Sequence, residues 1–132
     1  MGINAVAIKN CRVNTGEVVV YPTKPWNMQD VYAKLGDCSS IADCTFLIRN
    51  VFCESGVPGE EVLNVIKRNR NVYNEPSVIS SHRINYCCFV DEKRKVAMDR
   101  LNDILTELDN EGYYYLTSAE LASISRKGWS KR

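Results

Sequence analysis

The chain has 132 residues, 45% of them apolar and 25% charged, with a formal net charge of +1. This is the composition of an ordinary globular protein, and its near-neutrality removes any global pull toward nucleic acid or a membrane surface, so such binding would need a local patch. The length predicts one domain over 1–126, with a frayed basic tail at 127–132.

No apolar run approaches the roughly 20 residues that span a bilayer. The opening Met1-Gly2-Ile3-Asn4-Ala5-Val6 lacks the basic segment and cleavage site of a secretory signal, and Val6 breaks the myristoylation pattern. The closing Ser130-Lys131-Arg132 is not a peroxisomal address. The expectation is a cytoplasmic protein without membrane contact. Its six cysteines, Cys11, Cys38, Cys44, Cys53, Cys87 and Cys88, are then reduced and serve mainly as small hydrophobes.

Ile3–Val13 and Val18–Tyr21 are rich in β-branched and small apolar residues, with turn chemistry between them in Asn14-Thr15-Gly16. They predict a hairpin, which Pro22 stops. Three helices are predicted next. Trp26–Leu35 places Met28, Val31, Tyr32 and Leu35 on one face, with Gly36 as its stop. Ile41–Glu54 carries a broad stripe of Ile41, Cys44, Leu47, Ile48, Val51 and Phe52, capped by Ser39 or Ser40. Gly59–Asn69 follows Pro58, with Val62, Val65 and Ile66 inward. Glu60 and Glu61 lie at its positive end and Lys67, Arg68 and Arg70 at its negative end, as the helix dipole favours.

Asn71–Ser81 reads as a connector. Beyond it, a strand (Arg83–Val90), a long helix (Asp91–Asn110) and a second strand (Tyr113–Thr117) are predicted. In the helix, Ala97, Leu101, Ile104, Leu105 and Leu108 form one apolar stripe. Asp91 suits its cap, and Gly112 suits the left-handed residue that ends it. Parallel flanking strands would make this unit a right-handed crossover. A short helix over Ala119–Ser125 completes the chain. The fold class is therefore α+β. A small sheet of about four strands, the hairpin plus the two strands beside the long helix, is covered by a group of helices.

No catalytic residue, metal ligand set or cofactor emerges. His82 is the only histidine. On an extended strand it would lie roughly 20 Å from Cys88, too far for a cysteine–histidine pair. A cysteine-dependent enzyme would need other thiols folded toward His82. The cysteine spacings fit no zinc module, and no phosphate-binding glycine loop is present. The carboxylates Asp99 with Asp103, and Glu107 with Glu111, fall a helical turn apart on a face expected to be solvated.

Two features bear on nucleic acid. The predicted helices Ile41–Glu54 and Gly59–Arg70 resemble a helix–turn–helix, but a reading helix touches bases with its N-terminal end, and here that end is Gly59-Glu60-Glu61. The other feature is Lys93-Arg94-Lys95. A nucleic-acid-binding regulator using Lys67, Arg68, Arg70 and this cluster is the alternative reading.

The long helix breaks one local rule. After Asp91-Glu92, its first half carries Lys93, Arg94, Lys95 and Arg100, and its second half Asp103, Glu107, Asp109 and Glu111. That order opposes the macrodipole at a few tenths of a kcal/mol per exposed charge. Tertiary packing can override such a cost. A docking surface, or the seam of a two-fold dimer with antiparallel helices, would repay it. Tyr113 and Tyr115 follow directly, and tyrosine is common at interfaces. The leading expectation is a small non-enzymatic protein that binds another protein through Lys93, Arg94, Lys95, Arg100, Asp103, Glu107, Tyr113 and Tyr115, with homo-oligomerisation open. The size and the lack of catalytic motifs suit a regulatory accessory factor of a phage or mobile element acting on a host component.

Overall fold

The structure is a computed structural model. It describes the backbone over 5–12, 18–20 and 45–126, and side chains over 45–125. The chain forms two compact units, Met1–Asn50 with Leu116–Arg132, and Val51–Tyr115. The predicted helix Trp26–Leu35, Cys38, Cys44 and the tail 127–132 lie outside the described residues.

In the first unit, β1 (Ala5–Arg12) pairs antiparallel with β2 (Val18–Val20), Asn10 opposite Val20 and Arg12 opposite Val18. The predicted hairpin pairing is therefore present. The other edge of β1 pairs in parallel with β3 (Thr45–Arg49), from Ala5 with Thr45 to Lys9 with Arg49. The strand order β2-β1-β3 makes β1 central, as a strand with apolar residues at both odd and even positions should be. The helix α4 (Ser118–Arg126) packs on β3. Thr45, Leu47, Ile48, Leu121 and Ala122 are the buried residues of this unit's described part, with Asn50 at its edge. Thr117 and Glu120 start α4 with a reciprocal cap. Thr117 N–H donates to Glu120 Oε2 at 2.8 Å, and Glu120 N–H donates to Thr117 Oγ1 at 3.2 Å. The backbone and hydroxyl bonds from Thr117 hold the Glu120 carboxyl below its ordinary pKa.

The second unit opens on β4 (Val51–Phe52), which pairs in parallel with β5 (Ile79–Ser80). The ladder is extended by Val51 N–H to Val78 O at 3.3 Å and Cys53 N–H to Ser80 O at 2.9 Å. Between the strands runs α1 (Gly59–Arg68), so the unit begins as a β–α–β crossover. A turn leads into α1, with Val57 N–H on Glu54 O at 3.1 Å and Gly56 at φ 87°. Pro58 precedes the first helical residue and lacks the N–H that would go unpaired there. The helix continues into a π-helical turn, Asn69–Tyr73, closed by Asn74 N–H on Asn69 O with Asn74 at φ 52°.

Next comes α2 (Ile84–Cys87), a single turn whose Tyr86 and Cys87 N–H groups both donate to Arg83 O. Then α3 (Asp91–Asn110) runs with Ala97, Ile104 and Leu108 buried. Gly112, at φ 73°, ends α3. Gly112 N–H bonds Asp109 O and Tyr113 N–H bonds Leu108 O, each at 3.0 Å, which is the paired closure of a Schellman motif. The core joins Val51, Cys53, Val62, Ile66, Ile104 and Leu108, with Val57, Leu63, Val65 and Tyr113 packed on it.

Several predicted elements are corrected. Over the described part of Ile41–Glu54 the chain is not helical; it forms β3 and β4, in two different sheets. A short apolar run rich in Thr, Phe, Ile and Val fits a buried strand as well as a helix, and periodicity alone cannot separate them. With that helix gone, the helix–turn–helix resemblance falls. Arg83–Val90 is not a strand, because Ile84–Cys87 coils into the helical turn α2, with Asn85 turned inward and Ile84 exposed. Hydrogen bonds from Asn85 to Glu54 and Ser81 fix that inversion. Nor is Tyr113–Thr117 a strand, since the Schellman closure folds Tyr113 back onto Leu108. The crossover unit is therefore β4–α1–β5 rather than the stretch around α3. Asp91 does not cap α3. Val90 takes that place without a side-chain bond, and the Asp91 carboxylate instead accepts from Arg94 Nη2 at 2.6 Å. The class remains mixed helix and strand. The described strands form one three-stranded sheet and one two-stranded sheet instead of a single four-stranded one.

Candidate functional site

α1 and α3 lie side by side and run in the same direction. At their N-terminal side, a Cβ on Gly59 would sit 3.5 Å from Arg100 Cγ and 3.6 Å from Ile104 Cγ1. Arg100 Nη1 also donates to Val57 O at 2.8 Å. At their C-terminal side, Lys67 Nζ lies 2.6 Å from Glu111 Oε1 and 3.9 Å from Glu107 Oε1. Arg70 Nη2 is 3.8 Å from Glu111 Oε2, and its guanidinium carbon stands 4.6 Å from the centre of the Tyr113 ring. The hydrogen bond between Lys67 and Glu111 raises the Lys67 pKa and lowers that of Glu111.

Arg100, Glu107, Tyr113, Lys67 and Arg70 are thus all engaged within the unit. Arg68 is exposed. Tyr115 donates from Oη to Leu105 O at 3.2 Å. Burial, then the Asp109 carboxylate, raise its phenol pKa. Of the three consecutive tyrosines, Tyr114 is the one turned most fully to solvent.

Lys93, Arg94 and Lys95 are exposed. Successive helical residues are turned by about 100°, so the three point to different sides of α3. Arg94 pairs with Asp91, whereas Lys93 and Lys95 make no ion pair with a described residue. The basic-then-acidic order seen along the sequence is therefore not a bipolar face in space.

What α1 and α3 do present is a groove, with Leu63, Val96 and Ile104 as its apolar lining and Glu60, Asp99, Asp103 and Glu107 along it, together with the cation Arg100. Asp99 and Asp103 have no ion-pair partner among the described residues. Val96 is 66% exposed in the middle of this charged surface. More apolar surface lies nearby in sequence, where Ile84, Phe89 and Val90 are exposed between α2 and the start of α3.

A second cluster sits at the carboxyl ends of β4 and β5. His82 Nδ1 lies 2.8 Å from Glu54 Oε1. Asn85 Nδ2 donates to Glu54 Oε2 at 2.9 Å and to Ser81 Oγ at 3.1 Å. Burial works against ionisation of Glu54, but the bonds from Asn85 and His82 outweigh it and hold its pKa below the ordinary value. Ser81 Oγ donates to the Cys53 carbonyl. Its single proton is then used, so Tyr86 Oη, 2.9 Å away, is the donor of that pair. Burial pushes the Tyr86 phenol up, against the opposing bond to Ser81.

A carboxylate on Nδ1 is how a catalytic triad orients its histidine. Ser81 is nevertheless wired to Cys53, Asn85 and Tyr86 rather than to His82. Cys53 is buried, and Cys88 Sγ donates to Val90 O at 3.3 Å. The cluster works as a latch joining the two strand ends to α2. Sequence reasoning missed it because Glu54 and His82 are 28 residues apart and meet only through the β4–β5 register. Cys53 and Cys87, like Cys88, are free thiols.

Among the described residues there is no group of three or more metal-ligating side chains, and no helix is long and apolar enough to cross a membrane. No family model, curated protein or solved structure matches the chain, so any reading of function rests on the geometry of these residues.

Proposed function

We propose that the chain is a non-enzymatic protein that acts by binding another protein through the outer side of the α1–α3 pair. One observation carries this reading: a solvent-facing groove lined by Leu63, Val96 and Ile104 and flanked by Asp99 and Asp103, which have no ion-pair partner among the described residues. Isolated surface charges or a lone exposed valine are normal. Apolar lining beside carboxylates without an ion-pair partner is the chemistry of a recognition surface.

The competing readings have weaker support. A thiol or serine enzyme needs a nucleophile wired to His82, and Ser81 is bonded elsewhere. A nucleic-acid-binding regulator would use Lys67, Arg68, Arg70 and the Lys93–Lys95 cluster. Lys67 and Arg70 already meet Glu107 and Glu111, and Lys93, Arg94 and Lys95 point to different sides of α3. A cytoplasmic, regulatory role, including that of an accessory factor acting on a host component, belongs to the same proposal.

Affinity capture in cells of the native source, with nuclease treatment, tests it. Wild-type protein should retain a nuclease-resistant set of proteins that Val96→Lys loses while keeping its thermal midpoint. Capture that vanishes with nuclease, or that Val96→Lys leaves intact, rejects the groove as the binding surface.

A further inference from the structure

We infer that the groove between α1 and α3 receives a basic amphipathic helix of the partner protein. This rests on the groove being a protein-binding surface and adds the chemistry of what it binds.

The charge pattern selects the partner. Asp99, Asp103 and Glu107 are spaced at i, i+4 and i+8 along one ridge of α3 and line the groove together with Glu60 of α1. Steps of four residues advance about 6 Å along a helix. The ridge therefore matches cations placed once per turn on a facing helix. Arg100 also lines the groove, but its Nη1 donates to Val57 O, which ties its guanidinium to the backbone before α1. Lys67 is directed mainly at Glu111, at 2.6 Å against 3.9 Å for Glu107. What faces outward is predominantly negative.

The lining selects a helix. Leu63 and Val96 give apolar contact on either wall, with the 1%-exposed Ile104 at the base. A row of apolar side chains at helical spacing, bordered by lysine or arginine, satisfies both features at once.

Other occupants fit worse. Nucleic acid and anionic lipid meet carboxylates of their own sign. A second copy paired antiparallel about a two-fold axis on this ridge also fails. The register that sets Lys95 against Asp103 sets Asp99 against Asp99. The register that sets Lys95 against Glu107 sets Asp99 against Asp103. Each places carboxylate on carboxylate.

The test uses the full chain and a synthetic helical peptide of leucine and lysine, with a leucine–glutamate peptide of the same pattern as control. Binding is followed by fluorescence anisotropy across a salt series and by backbone NMR shifts. The lysine peptide should bind, move the resonances of Leu63, Val96 and Ile104, and weaken as salt rises. The glutamate peptide should not bind. Asp99→Asn with Asp103→Asn, both exposed, should weaken the lysine peptide roughly tenfold by removing two surface ion pairs.

Equal binding of the two peptides, or lysine-peptide binding that the asparagine pair leaves unchanged, overturns the inference. So does concentration-dependent dimerisation that Asp99→Asn with Asp103→Asn strengthens. If the lysine peptide fails while Val96→Lys still abolishes capture of natural partners, the partner's chemistry is wrong and the groove remains a protein site. If Val96→Lys leaves capture intact as well, both readings fall.

Discussion

α1 and α3 point the same way, share one core and both begin on carboxylates, yet they end on opposite charge. α1 begins with Glu60 and Glu61 and ends with Lys67 and Arg68. α3 has no basic residue in its last turn, where Glu107 and Asp109 lie, and Glu111 follows. Taken alone, α1 obeys the helix dipole and the end of α3 violates it. In the folded unit the two negative ends lie together, and Lys67 and Arg70 serve both. The dipole rule is satisfied by the helix pair rather than by each helix. The carboxylates of Glu107 and Glu111 therefore need no external partner to explain them, whereas Asp99 and Asp103 have no such internal account.

The largest effect should come from breaking the shared core. Ile104 is 1% exposed and touches both helices' packing. Ile104→Ala should cost about 2–5 kcal/mol in urea unfolding. On the groove wall, Val96→Ala should stay within about 0.5 kcal/mol, as exposed positions do. Equal losses at the two positions would mean that Val96 belongs to the core and the groove is closed.

The helix ends differ as well, and the difference can be measured. α3 ends on Gly112 at φ 73° and α1 runs on to Asn74 at φ 52°. Gly112→Ala forces a Cβ into the left-handed region, although nothing lies within 4 Å to obstruct it. The cost should be about 1–2 kcal/mol from backbone strain alone. Asn74→Gly should change stability by less, because asparagine tolerates that region. A loss at Asn74 as large as that at Gly112 would point to side-chain bonds of Asn74, not φ, as what holds that turn.

Next in size is the ion pair that reconciles the two helices. Lys67→Glu and Glu111→Lys should each lower the unfolding midpoint, and the exchanged pair should recover part of the loss. A double-mutant cycle without coupling would mean that the shared C-terminal cations contribute nothing. The pair also sets a pH window. Glu111 has a lowered folded pKa, so its stabilisation is present above its unfolded value of 4.5 and is lost as pH falls through the lower folded one. Lys67 has a raised pKa, so its share is full below 10.5 and is lost as pH rises through the higher folded value. Lys67→Met should flatten the alkaline limb. Glu54, also lowered, adds to the acid limb, and Glu54→Gln isolates its part.

The legible portions of the sequence were those with a local cause. The stripe through Ala97, Ile104 and Leu108, the stop at Gly112 and the hairpin pairing of β1 and β2 depend on residues close in sequence. The cap of Thr117 on Glu120 was equally local: Thr-x-x-Glu before Leu121 and Ala122 marks a helix start, and the strand reading of Tyr113–Thr117 obscured it. Thr45–Phe52 was not legible as strand, because an apolar run buried along both faces loses its period of two. Asn85 turned inward for bonds to Glu54, which is 31 residues away. The groove was half visible. Asp99, Asp103 and Glu107 could be placed on one ridge from spacing alone, but the position of α1 beside them, and the inward bond of Arg100, exist only in the fold.

The smallest expected effect sharpens the comparison at the other end of α3. Lys93, Lys95 and Arg100 read as one basic half in sequence, but they answer to different forces. Lys93 lies in the first turn, where a positive charge opposes the dipole, and it has no ion-pair partner among the described residues. Lys93→Glu should therefore raise stability by about 0.3–1 kcal/mol at low salt, and the gain should fade as salt screens it. Lys95 lies beyond that turn, four residues from both Asp91 and Asp99. Lys95→Glu forfeits these weak neighbours and should give no gain. Arg100→Glu should lower stability, because the bond to Val57 O is lost and a carboxylate is set beside that carbonyl. If all three reversals instead shift the unfolding midpoint alike, the basic half acts as one electrostatic unit and the separation drawn from side-chain direction is wrong. If only Lys93→Glu stabilises, the charge order along α3 is a projection onto sequence of forces that act in different directions around the helix.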